Sequence, residues 1–149
     1  MTTAIHRRVD ALRAGRDPTF IARLTSGWAV MGERQVLPGY CLLLPDPVVP
    51  TLNALAVAER MLFLADMAAL GDAVQRVTRA LRINYAILGN QEPALHAHVI
   101  PRFHDEPEKY ATTHPWAYDW DAAVAFDPEQ HRELRDRIHA ALGASAAPY

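Results

Sequence analysis

Two histidines, His96 and His98, stand two residues apart in the run Ala94-Leu95-His96-Ala97-His98-Val99-Ile100, which Pro93 and Pro101 bracket. In an extended strand successive side chains alternate between faces. Ala94, His96, His98 and Ile100 therefore share one face, and Leu95, Ala97 and Val99 the other. The two histidine Cα atoms would lie roughly 7 Å apart at a rise of ~3.3 Å per residue. A neutral imidazole is a nucleophile at neutral pH and can form a phosphoramidate with a phosphorus centre. A second imidazole beside it can hydrogen-bond the phosphate or protonate the leaving oxygen. Upstream, Gly89, Asn90 and Gln91 form a polar connection. Its backbone N–H groups and side-chain amides suit an anion, holding charge on the equatorial oxygens of a phosphoryl group.

The same pair admits other uses. It can be two polar residues on a wet sheet face. It can also belong to a metal pocket, where His-x-His is frequent but a third protein ligand is needed. His104, Asp105 and Glu106 lie just downstream, yet Pro101 is expected to end the strand before them, so no metal is assigned. His6, His131 and His139 fall on predicted helices among charged residues and read as solvated. His114, Trp116 and Trp120 belong to an aromatic loop that reads as packing. Cys41, among leucines, reads as core.

Positioning the histidines requires a sheet, and the chain supplies the elements in order. A helix is predicted over 3–14, with Ile5, Val9 and Leu12 on one stripe and Gly15 and Pro18 beyond its end. Strands are predicted over 20–24, 28–31 and 40–44. A stiff connector follows, with Pro45, Pro47 and Pro50. A long helix is expected over 52–81, capped by Thr51 or Asn53, with a stripe through Ala58, Leu62, Ala65, Ala69, Ala73 and Val77. Strands over 82–88 and 94–100 come next, then the loop 107–121. A last helix is expected to start at Asp127-Pro128, with Asp127 as cap, and to end at Gly143. Residues 144–149 read as a frayed tail. The pattern predicts an α+β fold: an antiparallel five-stranded sheet, one long helix between strands three and four, and N- and C-terminal helices.

Composition narrows the function classes. The chain has 149 residues, 50% hydrophobic and 21% charged, with a formal net charge of −2. This suits a single domain over 1–149 with its own core. The charge balance argues against a broad basic surface for nucleic acid or anionic lipid. A lone cysteine excludes an internal disulfide framework and points to a reducing, cytoplasmic setting. No apolar run reaches the ~18 residues of a membrane span, and no signal-peptide pattern is visible.

The segment 84–102 resembles the histidine-triad (HIT) family of nucleotide hydrolases and transferases. His98-Val99-Ile100-Pro101-Arg102 matches the end of that family's signature strand. Asn84 and Gly89-Asn90-Gln91 look like the stretch preceding it. Gly39-Tyr40-Cys41-Leu42-Leu43-Leu44-Pro45 looks like the family's Gly-His strand before the long helix. The resemblance spans about residues 20–105. It implies that His96 is the nucleophile carrying a nucleotidyl group and that His98 contacts the phosphate or leaving group. It further implies that Tyr40, Asn84, Gly89, Asn90, Gln91 and Arg102 help to bind substrate. Glu33, in the loop before the third strand, reads first as a solvated loop charge, with an approach to the ribose hydroxyls as the alternative. It implies a nucleotide ligand, a homodimer and no cofactor. Two positions depart from the pattern: Ala94 replaces the first triad histidine, and Tyr40 replaces the Gly-His histidine. Tyr40 is expected to fill the space beside Ala94 and to support His96. The resulting reading is a nucleotide-phosphate hydrolase, such as a diadenosine polyphosphate hydrolase, or a nucleotidyl transferase, acting on a dinucleoside polyphosphate, a nucleoside phosphoramidate or a related substrate. The alternatives are a nucleotide-binding module with little turnover and a metal-dependent hydrolase.

Overall fold

The computed structural model describes residues 1–145. Helix α1 (Ala4–Arg13) opens the chain, with the Thr3 hydroxyl accepting from the His6 backbone N–H as its cap. Five strands build the main sheet: β1 (Phe20–Arg23), β2 (Gly27–Met31), β4 (Cys41–Pro45), β5 (Arg82–Ile87) and β6 (Ala97–Arg102). Their spatial order is β1-β2-β4-β6-β5, every pair antiparallel. This is the α+β arrangement expected. Two short strands, β3 (Arg34–Gln35) and β7 (Val124–Ala125), pair separately and tie the loop before β4 to the C-terminal segment. They are too short to leave a periodic signal in the sequence.

The two faces of the sheet carry separate cores. On one face, helix α2 (Val57–Thr78) and helix α4 (Arg132–Ser145) pack through Phe63, Leu70, Val74, Ile138 and Leu142 onto Cys41, Leu43, Ala97 and Val99. On the other face, Ile5, Val9 and Leu12 of α1 pack onto Leu42, Leu44, Ala94 and Ile100, with Tyr118 and Trp120 closing the cluster. Because β4 and β6 are covered on both faces, their sequences are apolar throughout rather than alternating.

Several boundaries differ from expectation. The segment after the proline connector starts as a 3-10 turn over Leu52–Ala54, capped by the Thr51 hydroxyl, and α2 begins only at Val57. The buried stripe of α2 runs through Phe63, Leu70, Ala73 and Val74, whereas Ala58, Leu62 and Ala65 of the expected stripe are exposed. The helix is apolar on more than one side, and the larger side chains determine which side the sheet covers. Strand β6 continues through Pro101, which pairs with Ile83. Its pairing with β4 ends at Val99, so a missing N–H at 101 interrupts no ladder on that side. The Asp127 carboxylate accepts from the Glu129 and Gln130 N–H groups, but this forms a turn, and α4 starts at Arg132. Gly143 lies within α4 rather than beyond it. The loop 107–121 contains a helical turn over Glu108–Ala111 (α3) and a 3-10 turn over Pro115–Ala117. The expected frayed tail falls largely outside the described residues.

Candidate active site

His98 in β6 and His96, one residue before the strand begins at Ala97 rather than at the expected Ala94, face the α1 side of the sheet, with ring centroids 4.9 Å apart and planes at 73°. Both line one cavity of about 610 Å³, together with Tyr40 and Leu42 of the β4 segment. That volume lies within the ~300–1,000 Å³ usual for small-molecule sites.

His96 is 7% exposed. Its Nδ1 lies 2.7 Å from the Ala94 carbonyl oxygen. A carbonyl only accepts, so Nδ1 carries the proton and donates. In the neutral ring the lone pair then sits on Nε2, the nitrogen available for attack. The backbone two residues upstream therefore orients this imidazole, and it does so whatever the side chain at 94.

His98 is held by Tyr40. The Tyr40 hydroxyl lies 2.7 Å from His98 Nδ1, and the two rings are stacked at 5.9 Å. Tyr40 is only 4% exposed, and burial pushes its phenol pKa well above the ordinary value, so the group stays protonated. Among the described residues the hydroxyl has no other hydrogen-bond partner, so it donates to Nδ1. His98 then carries its proton on Nε2. Burial, and after it the neighbouring His96, lower the His98 pKa to about 4. The ring is thus neutral at pH 7 and acts as a hydrogen-bond donor rather than as a strong acid. Trp116 closes its far side, edge-on at 5.1 Å, and stacks on Trp120 at 5.6 Å. The expectation for Tyr40 is corrected in its target: its ring packs in the same cluster as Ala94, but its hydroxyl serves His98, not His96.

Other expected residues lie elsewhere. The Arg102 guanidinium is 6% exposed and fully engaged, donating to Glu106, the Asn84 side-chain oxygen and the carbonyls of Tyr110 and Thr113. Glu106 also accepts from the Phe103 N–H and the Tyr118 hydroxyl. Burial alone would raise its pKa, but the bonds from Arg102, Tyr118 and Phe103 bring the net value below the ordinary range. Arg102, braced by Asn84, thus ties the aromatic segment to the sheet, and neither residue lines the histidine cavity. Asn84 lines a neighbouring hollow with His114 and Trp116. Gly89, Asn90 and Gln91 are exposed and do not line the histidine cavity. Glu33 does line it, 3.8 Å from Arg8. Among the described residues no three His, Cys, Asp or Glu side chains are placed to share a metal ion, and Glu106 is committed to Arg102.

The sequence reading missed what α1 and the residues just after it contribute. Arg7, Arg8 and Arg16 line the histidine cavity along with Arg34, opposed by Asp17 and Glu33. The stripe Ile5-Val9-Leu12 predicts an amphipathic helix but not the sheet face it covers, so no local signal linked these arginines to the histidines.

The fold and site define an antiparallel α+β sandwich with two imidazoles at the start of a central strand, on the sheet face that α1 covers. The HIT domain model matches residues 20–105, more than half of the 149 residues, and the chain belongs to the HIT family. Solved structures share the fold. A histidine triad protein from Marinobacter aquaeolei VT8 is 20% identical with a TM-score of 0.75, covering 98% of this chain and 100% of its own. One from Sinorhizobium meliloti 1021 is 23% identical with a TM-score of 0.70, covering 87% and 93%. A protein from Sulfolobus tokodaii strain7, described as a hypothetical histidine triad nucleotide-binding protein, is 13% identical with a TM-score of 0.71, covering 91% of each chain. No curated protein matches the chain significantly.

Proposed function

We propose that the chain is a nucleotide-phosphate hydrolase or nucleotidyl transferase that works through a covalent nucleotidyl-histidine on His96. The observation that carries this reading is the 2.7 Å bond from His96 Nδ1 to the Ala94 carbonyl, inside a cavity shared with His98. Nε2 of His96 attacks the α-phosphorus, an N–P bond forms, and the bond to the leaving group breaks with its electron pair. The ring gains positive charge, which the Ala94 carbonyl stabilises through Nδ1–H. His98 Nε2–H hydrogen-bonds a phosphoryl or leaving oxygen. Water, or another acceptor, then attacks the phosphorus and loses a proton. The N–P bond breaks, releasing the mononucleotide and restoring the neutral imidazole. The scheme requires no metal or cofactor. The nucleotide-binding description of the Sulfolobus tokodaii neighbour supports the ligand class.

We further infer a homodimer and a cytoplasmic setting. The buried free thiol of Cys41 suits a reducing compartment, and among the described residues no helix is long and apolar enough to cross a membrane.

Acid cleaves N–P bonds, so the test uses rapid alkaline quench and mass analysis. Diadenosine tetraphosphate and the p-nitrophenyl ester of adenosine 5′-monophosphate serve as substrates. An adenylyl adduct on His96, absent in His96→Ala together with a rate loss of about 10³-fold or more, is the expected result. Tight nucleotide binding with neither adduct nor product would instead identify a binding module.

A further inference from the structure

Positive charge is concentrated in the histidine cavity beyond what one phosphorus requires. The whole chain has a net charge of −2, yet this cavity is lined by four arginines against two carboxylates. Arg8 is largely committed within the protein. Its Nε lies 3.3 Å from Asp17 and 3.8 Å from Glu33, and its Nη2 donates to the Thr19 hydroxyl and the Met31 carbonyl. Those contacts use both carboxylates. Arg34 gives one N–H to the Ala123 carbonyl. Arg7 and Arg16 are exposed and line the cavity; Glu92, which is not in its lining, lies near enough to Arg7 to feel its charge. Two guanidiniums held along a concave wall, beside a low-dielectric sheet face, form an anion-attracting surface.

We propose that Arg7 and Arg16, with Arg34, form an anion subsite that holds a second phosphate of the substrate, distinct from the phosphorus attacked by His96. This rests on the nucleotidyl-histidine reading above and adds to it a preference among nucleotides. The second phosphate has two sources with the same chemistry: a polyphosphate chain on the leaving side, or a phosphate ester on the ribose. The neutral state of His98 agrees with the first. A polyphosphate leaves as an anion without protonation, whereas an amine needs an acid that a neutral imidazole does not supply.

The test compares three substrates by the rate constant kcat/KM for His96 adenylylation. These are the p-nitrophenyl ester of adenosine 5′-monophosphate, its 3′-phosphorylated form, and diadenosine tetraphosphate. The first has one phosphorus and a leaving group that needs no acid. The expected result is a preference of tenfold or more for one of the two more highly phosphorylated substrates. That preference shrinks as NaCl is raised and falls below threefold in Arg7→Ala/Arg16→Ala. The substrate that gains identifies the source of the phosphate. A salt-independent preference, or one that the double variant retains, overturns the subsite, as does equal use of all three. The wild-type salt titration decides the matter even if the double variant fails to fold, and Arg7→Lys/Arg16→Lys, which keeps the charge, should retain most of the preference. An adduct on His96 with equal use of the three substrates defeats the subsite alone. No adduct with any of them defeats the nucleotidyl-histidine reading, and the subsite with it.

Discussion

Tyr40 and His98 form the decisive pair at the scale of single residues. A phenol in place of an imidazole changes what the neighbouring ring can do, because burial keeps the phenol protonated with one O–H to give. It fixes His98 as the Nε2–H tautomer, while burial and the neighbouring His96 keep the ring neutral. Tyr40→Phe retains the stacked ring but removes that donor. Leaving one buried partner unsatisfied costs about 1–3 kcal/mol, and kcat is expected to fall about tenfold, since ~1.4 kcal/mol is one decade. KM should change less, because the hydroxyl is committed to His98. Nitrogen NMR should show the His98 ring moving from a single tautomer to a mixture. Unchanged kcat with an unchanged tautomer would remove Tyr40 from the mechanism. A pH dependence follows from the same burial. The folded His98 pKa of about 4 lies below the ordinary 6.5, so between these values the unfolded chain binds the extra proton. The contribution is fully present above pH 6.5 and is lost as pH falls toward 4, by at most about 3 kcal/mol. Urea unfolding at stepped pH should show a steeper decline for the wild type than for His98→Gln over that window. Parallel curves would refute it.

At the scale of elements, the site depends on how closely β2 and β4 approach. A Cβ added at Gly32 would lie 2.1 Å from Tyr40 Cδ1, and the Gly32 N–H donates to the Tyr40 carbonyl. The Tyr40 ring therefore rests on bare backbone at the end of β2. Gly32→Ala is expected to displace the ring, to cost about 1–3 kcal/mol in stability, and to produce the same His98 tautomer mixture as Tyr40→Phe. A stable variant with a single tautomer would show that the ring is positioned elsewhere. None of this was legible locally, since Gly32 reads only as the start of a polar loop. What the sequence did reveal was periodic: the alternation that puts His96 and His98 on one face, the α1 stripe, and the five strands. The misreadings occurred where pattern was degenerate. The apolar residues of α2 surround the helix, so spacing alone could not choose Phe63-Leu70-Val74 over Ala58-Leu62-Ala65. Pro101 looked like a terminator because the sequence does not say where β4 stops pairing. Arg102 matched a signature and was assigned to substrate, but its five-donor fork is consumed by Glu106, Asn84 and two carbonyls.

For the whole molecule, the α2 side that the sheet does not cover has to be explained. Val57, Met61 and Leu64 recur at helical spacing and remain 68%, 66% and 36% exposed. Nearby, the Tyr85 hydroxyl packs against α2 so closely that a Cβ at Gly71 would lie 1.9 Å from it, while Tyr85 itself is 43% exposed. This continues the apolar surface from the helix onto β5, which is an edge strand with β6 as its single sheet neighbour. Long apolar edges invite pairing with another chain, and contiguous apolar patches on monomers are uncommon. A second copy suits both features at once, because a two-fold axis beside β5 sets strand against strand and helix against helix with the same residues on each side. Sedimentation should therefore give twice the chain's mass. Met61→Glu/Leu64→Glu should give a monomer, since each two-fold contact would then bury a pair of like charges. The histidine cavity lies on the opposite sheet face, so the His98 tautomer signal should persist in that monomer. A wild-type chain that sediments as a monomer at its highest soluble concentration would defeat the dimer and leave the exposed face of α2 unexplained.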